Sequence, residues 1–306
     1  FSGFLGASMD VDQSKLLLGI LSLIMIFIPS FLLVLGAMLY WGVLRDFSKI
    51  EAYLVGVNDI TLVDPGPAIS EHIDNLINLG GSKLNRIFVT HTHNDHSPAA
   101  KIIADKLKIP VYGNYAKFSN YQDTSFKPDF SFDDEMEFDF EDSNIVAIHT
   151  PGHASNHFCF YIKQSGCLIT GDHIMSGSTV VIGPPDGNMH EYIQSLKKLK
   201  EYKIKYIAPG HGSNIDQPNE AIDWIINHRL KREEKVLDKI TQLKHANLDR
   251  LVKSVYDDVD VALHPIAKAS LEAHLIKLEL EKKVLKKSLH TMKNYNLKLV
   301  LEKTSM

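Results

Sequence analysis

The segment Thr90–Ala100, THTHNDHSPAA, constrains this chain more than any other stretch. Three imidazoles and a carboxylate crowd into His91, His93, Asp95 and His96, directly after the apolar run Ile87-Phe88-Val89. A neutral imidazole offers a nitrogen lone pair near neutral pH, which makes histidine a common metal ligand. One ion takes only three or four ligands. Two alternating histidines at a strand end, then an Asp-His pair, therefore read as the beginnings of two adjacent sites. The missing ligands must come from elsewhere, so the fold has to bring several loops to one place.

Candidates stand at the ends of other apolar runs. HTPGHASNH carries His149, His153 and His157, LITGDHI reaches Asp172 and His173, IAPGHG reaches His211, and LVDPGP reaches Asp64. Loops along one edge of a sheet are where scattered functional residues converge. A lone histidine is ordinarily a surface or core residue. Five separate strand ends closing in His or Asp are not accounted for that way.

The runs between these points alternate in type. EAYLVG and DITLVD read as two short strands with a turn at Val57-Asn58. Ile69, Ile73, Leu76 and Ile77 follow a helical spacing that stops at Gly80-Gly81. SPAAKIIADKL reads as a helix with Ser97 as its N-cap and Pro98 at its first position. An acidic hairpin around FSFDDEMEFDF, the strand NIVAIHT and the hairpin HFCFYIKQSGCLITGD follow. Then come an amphipathic helix, MHEYIQSLKKLK, and the strand of IKYIAPGHG. Strands interleaved with helices predict a layered α/β fold. Cys159 and Cys167 form no disulfide framework and read as a reduced pair.

Taken in order and type, Asp64, THTHNDH, His153, Asp172 and His211 resemble the five motifs of the metallo-β-lactamase superfamily across about residues 51–225. The resemblance implies an αββα sandwich with a dinuclear metal site, usually two zinc ions (Zn2+). Carried over residue by residue, His91, His93 and His153 hold one ion. Asp95, His96 and His211 hold the other, and Asp172 bridges them. Asp64 steadies the histidine loop; His157 and His173, which belong to a narrower pattern as well, read as packing behind it, with substrate contact as the alternative. Two such ions lower the pKa of a shared water and polarise the substrate oxygen. No Ser or Cys nucleophile is then required, and Asp95 and Asp172 carry the catalytic work. Zinc β-lactamases of the main class have Cys where Asp172 stands, which argues against antibiotic hydrolysis. The diiron flavoprotein branch has Glu where His93 stands.

A narrower resemblance, to the lactamase-β-like protein 2 group, rests on TGDHIMSGSTVVIGPPDGNMHEYIQSL and on the tail segments NHRLKREEKVLDKI and LHPIAKASLEAHLIKLELEKKV. It implies a helical, winged-helix-like extension over residues 226–306. Its members include acyl-carrier thioesterases and single-stranded RNA endoribonucleases, so either a small-molecule or acyl-carrier substrate or RNA is expected. From Arg229 onward, 17 Lys/Arg face 11 Asp/Glu, so a tail of +6 follows a body of −10 within a net charge of −4. Lys231, Arg232, Lys235, Lys239, Lys282, Lys283, Lys286 and Lys287 would attract phosphates, but only Tyr256 and Tyr295 are there to stack on bases. An ester or thioester carbonyl is the favoured target, with an endoribonuclease as the alternative.

The start of the chain departs from this pattern. Leu16–Leu44 is 29 residues without a charge, long enough to span a bilayer. Arg45 and Lys49 follow it, which predicts that residues 16–44 anchor a cytoplasmic hydrolase domain. Residues 1–58 also resemble the end of a chromate transporter domain, which places a possible join near residues 53–59. The rival readings are a transporter fragment, disfavoured by the single apolar run, and a metal-free binding module, disfavoured by the complete ligand set.

Overall fold

The computed structural model describes residues 51–118, 122–141, 143–243, 246–288 and 295–299, with side chains through Val284. The apolar segment 16–44 and the transporter-like stretch up to residue 50 lie outside the described residues. Among those described, no helix is long and apolar enough to cross a membrane.

Two sheets form the centre. The first has the order β1 (Tyr53–Val55), β2 (Ile60–Val63), β3 (Leu84–Phe88) and β4 (Val111–Tyr112). The second runs β5 (Met136–Asp139), β6 (Asn144–His149), β7 (Phe158–Ile162), β8 (Cys167–Gly171) and β9 (Tyr206–Pro209). Every residue of β2 and β8 is buried, as expected of strands covered on both faces. Between the sheets lies an aromatic core. The Phe88 ring sits 5.0 Å from Phe132, 4.9 Å from Phe138 and 5.3 Å from Phe160. Burial of each such ring contributes about 1.5–3 kcal/mol from area alone.

Helices close the outer faces. α1 (Ser70–Gly80) and α2 (Pro98–Leu107) place Ile73, Leu76, Ala100 and Ile103 on the first sheet with Leu62 and Ile87. α3 (Met189–Leu199) and α4 (Pro218–Leu243) place Tyr192, Leu196, Ile222 and Ile225 on the second sheet with Ile148 and Leu168. The layers are thus αββα. α4 runs unbroken past residue 225, so the boundary expected at 225/226 falls inside a helix. Beyond it, α5 (Leu248–Val255), α6 (His264–Leu280) and the antiparallel hairpin β10 (Val284–Ser288) and β11 (Tyr295–Leu299) complete a helices-then-hairpin unit. Its core includes Val236, Leu251, Leu271, Leu275 and Val284.

Strand direction explains why the ligand loops meet. β2 and β3 are parallel, so Asp64 and the histidine segment leave the same edge. β8 and β9 are parallel, and β6 is separated from β8 by two antiparallel steps, so all three point one way. The amide of Phe158 donates to the Thr90 carbonyl across the sheets at 2.9 Å. At the end of β8, a Cβ on Gly171 would lie 2.6 Å from Thr90 Oγ1, so only glycine permits this approach.

Three local readings take their detail from the structure. Ser97 stands at the N-cap of α2 with Pro98 at its first position, but its side chain makes no cap bond; the hydroxyl donates to Asp123 Oδ2 at 2.8 Å instead. The acidic segment is not a hairpin in itself: it supplies one strand, β5, which pairs with β6, while Phe130 bridges to Tyr112. Cys159 packs on the helix side of the second sheet and Cys167 in the core between sheets. Both thiols are free and buried, on opposite faces of the second sheet.

Candidate metal centre

The histidine segment turns sharply after β3 and is tied down at its start. Asp64 is buried and accepts from the Thr90 amide at 2.7 Å, the Thr90 hydroxyl at 2.7 Å and His96 Nδ1 at 2.8 Å. Because the Thr90 hydroxyl spends its proton on Asp64, His91 Nδ1 must donate to Thr90 Oγ1, 3.0 Å away. His153 Nδ1 likewise donates to the Val181 carbonyl at 2.8 Å. These bonds occupy Nδ1 of each ring and turn Nε2 of His91, His96 and His153 inward, where a neutral ring offers a lone pair.

Those lone pairs converge. His91 Nε2 and His153 Nε2 each lie 3.0 Å from His93 Nδ1. On the other side, His96 Nε2 is 3.2 Å and His211 Nε2 is 3.3 Å from Asp172 Oδ1. Asp95 Oδ2 lies 3.5 Å from His211 Nε2, and Asp95 Oδ1 lies 4.0 Å from His96 Nε2. Asp172 Oδ2 is 3.7 Å from His153 Nε2, so its carboxylate stands between the two groups. Among the described residues, donor atoms within 4.8 Å of one another form three sets, His91-His93-His153, His91-His96-Asp172 and Asp95-His96-His211, each able to hold a metal ion.

The electrostatics suit a cation. Burial, reinforced by neighbouring imidazoles, pulls His91 well below the usual histidine pKa and His93 to about 3. Burial also lowers His153, despite Asp172. These rings therefore stay neutral and ligand-ready. Burial opposes charge on Asp172, but His96, His153 and His211 outweigh it and hold the carboxyl far below its usual range. Burial also opposes charge on His96, yet Asp172 and Asp64 raise it well above normal: these carboxylates call for positive charge at His96 Nε2. His96 Nε2 and Asp172 Oδ1 are buried and face each other at 3.2 Å without a well-directed hydrogen bond, an arrangement that a cation between them would satisfy. The residues present thus fit a metal.

His157 and His173 join none of the three sets. The His157 ring lies 4.9 Å from that of His91, with Nδ1 2.9 Å from Thr150 Oγ1. The His173 ring lies tilted against it and edge-on to Tyr192, at centroid distances of 5.6 and 4.8 Å. His149 faces away, 3.1 Å from the Ser155 carbonyl. Sequence patterns missed other contributors. Thr90 is one. Asp186 is another: it is buried and accepts from the Ser155 amide at 3.0 Å and hydroxyl at 2.6 Å, steadying the loop of His153. Only its place in the PPDG loop hinted at a role. Of the tail cations expected to attract phosphates, Arg232 and Lys235 pair with Asp257 and Asp258, and Lys283 with Glu281.

Residues 46–211 match the Metallo-beta-lactamase superfamily, and residues 248–289 match the beta-lactamase associated winged helix domain. The chain is similar to the beta-lactamase-like protein 2 homolog of Drosophila melanogaster, at 30% identity over 76% of this chain and 83% of that protein. It is 28% identical to an atrochrysone carboxyl ACP thioesterase of Aspergillus chevalieri, over 76% of this chain and 77% of that one. A beta-lactamase domain protein from Burkholderia ambifaria superposes with a TM-score of 0.71, covering 82% of this chain and 87% of its own; at 17% identity, this speaks for the fold alone. The chain belongs to the metallo-beta-lactamase superfamily, as a metal-dependent hydrolase that carries the associated winged helix domain.

Proposed function

We propose that the chain hydrolyses an ester or thioester carbonyl of a small-molecule or acyl-carrier substrate with two divalent ions, expected to be zinc. The observation that carries the two-ion reading is the position of Asp172, 3.7 Å from His153 Nε2 and 3.3 Å from His211 Nε2, between two separate donor groups. His91, His93 and His153 would hold one ion and Asp95, His96 and His211 the other, with the Asp172 carboxylate within reach of both groups. Bound there, two such ions would supply an acidified water and positive charge for the oxygen of the attacked group. Asp95, half-exposed at the mouth of the site, orients the attacking water and accepts its proton. Asp64 and the Val181 carbonyl keep the rings in the tautomers that face the ions. Water adds to the carbonyl, the carbon–sulfur bond breaks, and a carboxylic acid and a thiol leave. Similarity to an ACP thioesterase supports this substrate class, as does the pairing of tail cations with carboxylates.

The test joins metal counting to turnover. Elemental analysis of dialysed protein should find close to two divalent ions per chain. His93→Ala should weaken one site and Asp172→Ala both. Wild type should release thiol from acyl thioesters, and Asp95→Ala should not. Less than half an ion in folded wild type sinks the two-ion reading. Metal-dependent cleavage of labelled single-stranded RNA without thioester turnover sinks the substrate class.

A further inference from the structure

Between Asp172 and α3 the chain runs without helix or strand, yet Val181 in this stretch supplies the carbonyl that orients His153. A loop carbonyl has no ladder to fix its direction. Both neighbours of Val181 are instead gripped by the C-terminal helices. The guanidinium of Arg229, on α4, donates to the Val180 carbonyl. The amide of Ile182 donates to Ser270 Oγ, on α6, at 3.2 Å. The side chains of Val180 and Ile182 are buried in the core shared with Tyr192 and Ala273, while Val181 is 38% exposed. Three successive residues thus alternate between helix-held anchors and the one that faces the metal centre.

We propose that Arg229 and Ser270 are positioning residues for His153, so that the C-terminal helices set the affinity of the ion this histidine holds. This rests on the metal role given to His153 above. The grip is built to be stiff. Arg229 is 4% exposed, and its guanidinium carbon lies 5.4 Å from the centroid of the Tyr192 ring. The Tyr192 hydroxyl donates in turn to the His173 carbonyl at 2.9 Å, next to Asp172. Ser270 is 6% exposed and meets the loop from the opposite helix. Tilting the 181–182 peptide would break the Ser270 bond and turn the Val181 carbonyl away from His153 Nδ1. The ring would then be free to rotate or change tautomer, and Nε2 would no longer be held toward His93 and Asp172.

The test uses the full chain, stripped of metal and titrated with Co2+ against a competing chelator, with the visible absorption of Co2+ as a second readout. Ser270→Ala is the mild variant, because alanine suits a helix. Arg229→Lys keeps one donor and Arg229→Met keeps none. Ser254→Ala, whose hydroxyl bonds only within α5, is the control. Ser270→Ala and Arg229→Met should each weaken one of two sites by roughly tenfold and change its absorption band, in the range seen when residues behind a metal ligand are removed. Arg229→Lys should recover part of the loss, and the control should match wild type. Variants that bind both ions like wild type, while unfolding at lower urea, would show mere glue between regions and overturn the proposal. Wild type that binds no divalent ion would overturn the metal reading beneath it.

Discussion

At the scale of single residues, Asp64 shows how much one position can carry. Its φ is +49°, an uncommon value for any residue with a side chain and best tolerated by Asp and Asn. The same residue accepts three hydrogen bonds from Thr90 and His96. Asparagine tolerates the backbone but turns an acceptor pair into one acceptor and one donor. Asp64→Asn should therefore weaken metal binding by roughly 10–100-fold while changing stability little. Asp64→Ala should add a stability loss of about 1–3 kcal/mol, because buried donors lose their partner and the backbone is strained. Chelator competition and urea midpoints on both variants separate the two effects; wild-type affinity in Asp64→Asn would reduce Asp64 to packing. Asp64 was legible in the sequence because an acid at a strand end, ahead of a histidine cluster, is a pattern. Thr90 was not, since a threonine beside His91 looks like any strand residue until its hydroxyl is seen to use its proton on Asp64. Arg229 and Ser270 were illegible for another reason: they meet the loop only through backbone atoms, which leave no trace in residue type.

At the scale of elements, periodicity and strand-end punctuation gave the order of strands and helices, and pairing gave the rest. The turn at Val57-Asn58, the helix ending at Gly80-Gly81 and the strand before His211 stand where local signals put them. Ser97 takes the N-cap position its type suggests, but its hydroxyl finds Asp123, 26 positions away, rather than a helix amide. The acidic run misled because alternation marks a strand without naming its partner. Gly152 reports the tightest joint between elements. Its φ is +145°, and a Cβ there would stand 2.3 Å from Tyr192 Cα. Its carbonyl also accepts the Asn188 amide at the start of α3, at 2.8 Å. Gly152→Ala must displace helix backbone rather than a side-chain tip. We expect a loss of about 3–5 kcal/mol, at the extreme of single substitutions, together with loss of metal, since His153 is the next residue. A fall below about 1 kcal/mol in urea unfolding would mean that the joint relaxes freely.

At the scale of the whole molecule, a basic tail on an acidic body suggested two opposite things, a nucleic-acid surface or a solvated helix face. Among the described residues, Arg232, Lys235, Lys268, Lys277 and Lys283 pair with carboxylates of the tail itself, and a buried pair lies where α4 meets α6. Lys277 Nζ donates to Glu233 Oε1 at 2.8 Å and pairs with Glu281 at 2.7 Å, while His274 Nδ1 lies 3.5 Å from Glu233 Oε2. Glu233 and Lys277 are 5% and 7% exposed. Breaking such a pair from one side costs about 3–5 kcal/mol, because a buried charge is stranded; the remaining Glu281 contact should keep Glu233→Gln at the low end. The sign of the pH dependence follows from Glu233. Burial pulls its pKa up, but His274 and Lys277 outweigh burial and hold it below the usual value. Its folded pKa thus lies below an unfolded value of about 4.3. The stabilisation is complete above that pH and is lost as pH falls through the folded pKa. Glutamine has no proton to take up, so the gap in urea midpoint between wild type and Glu233→Gln should hold steady from neutral pH to about pH 5 and narrow at more acid pH. A gap that stays constant into that acid range would mean that the ionised form of Glu233 contributes nothing to holding the two helices together.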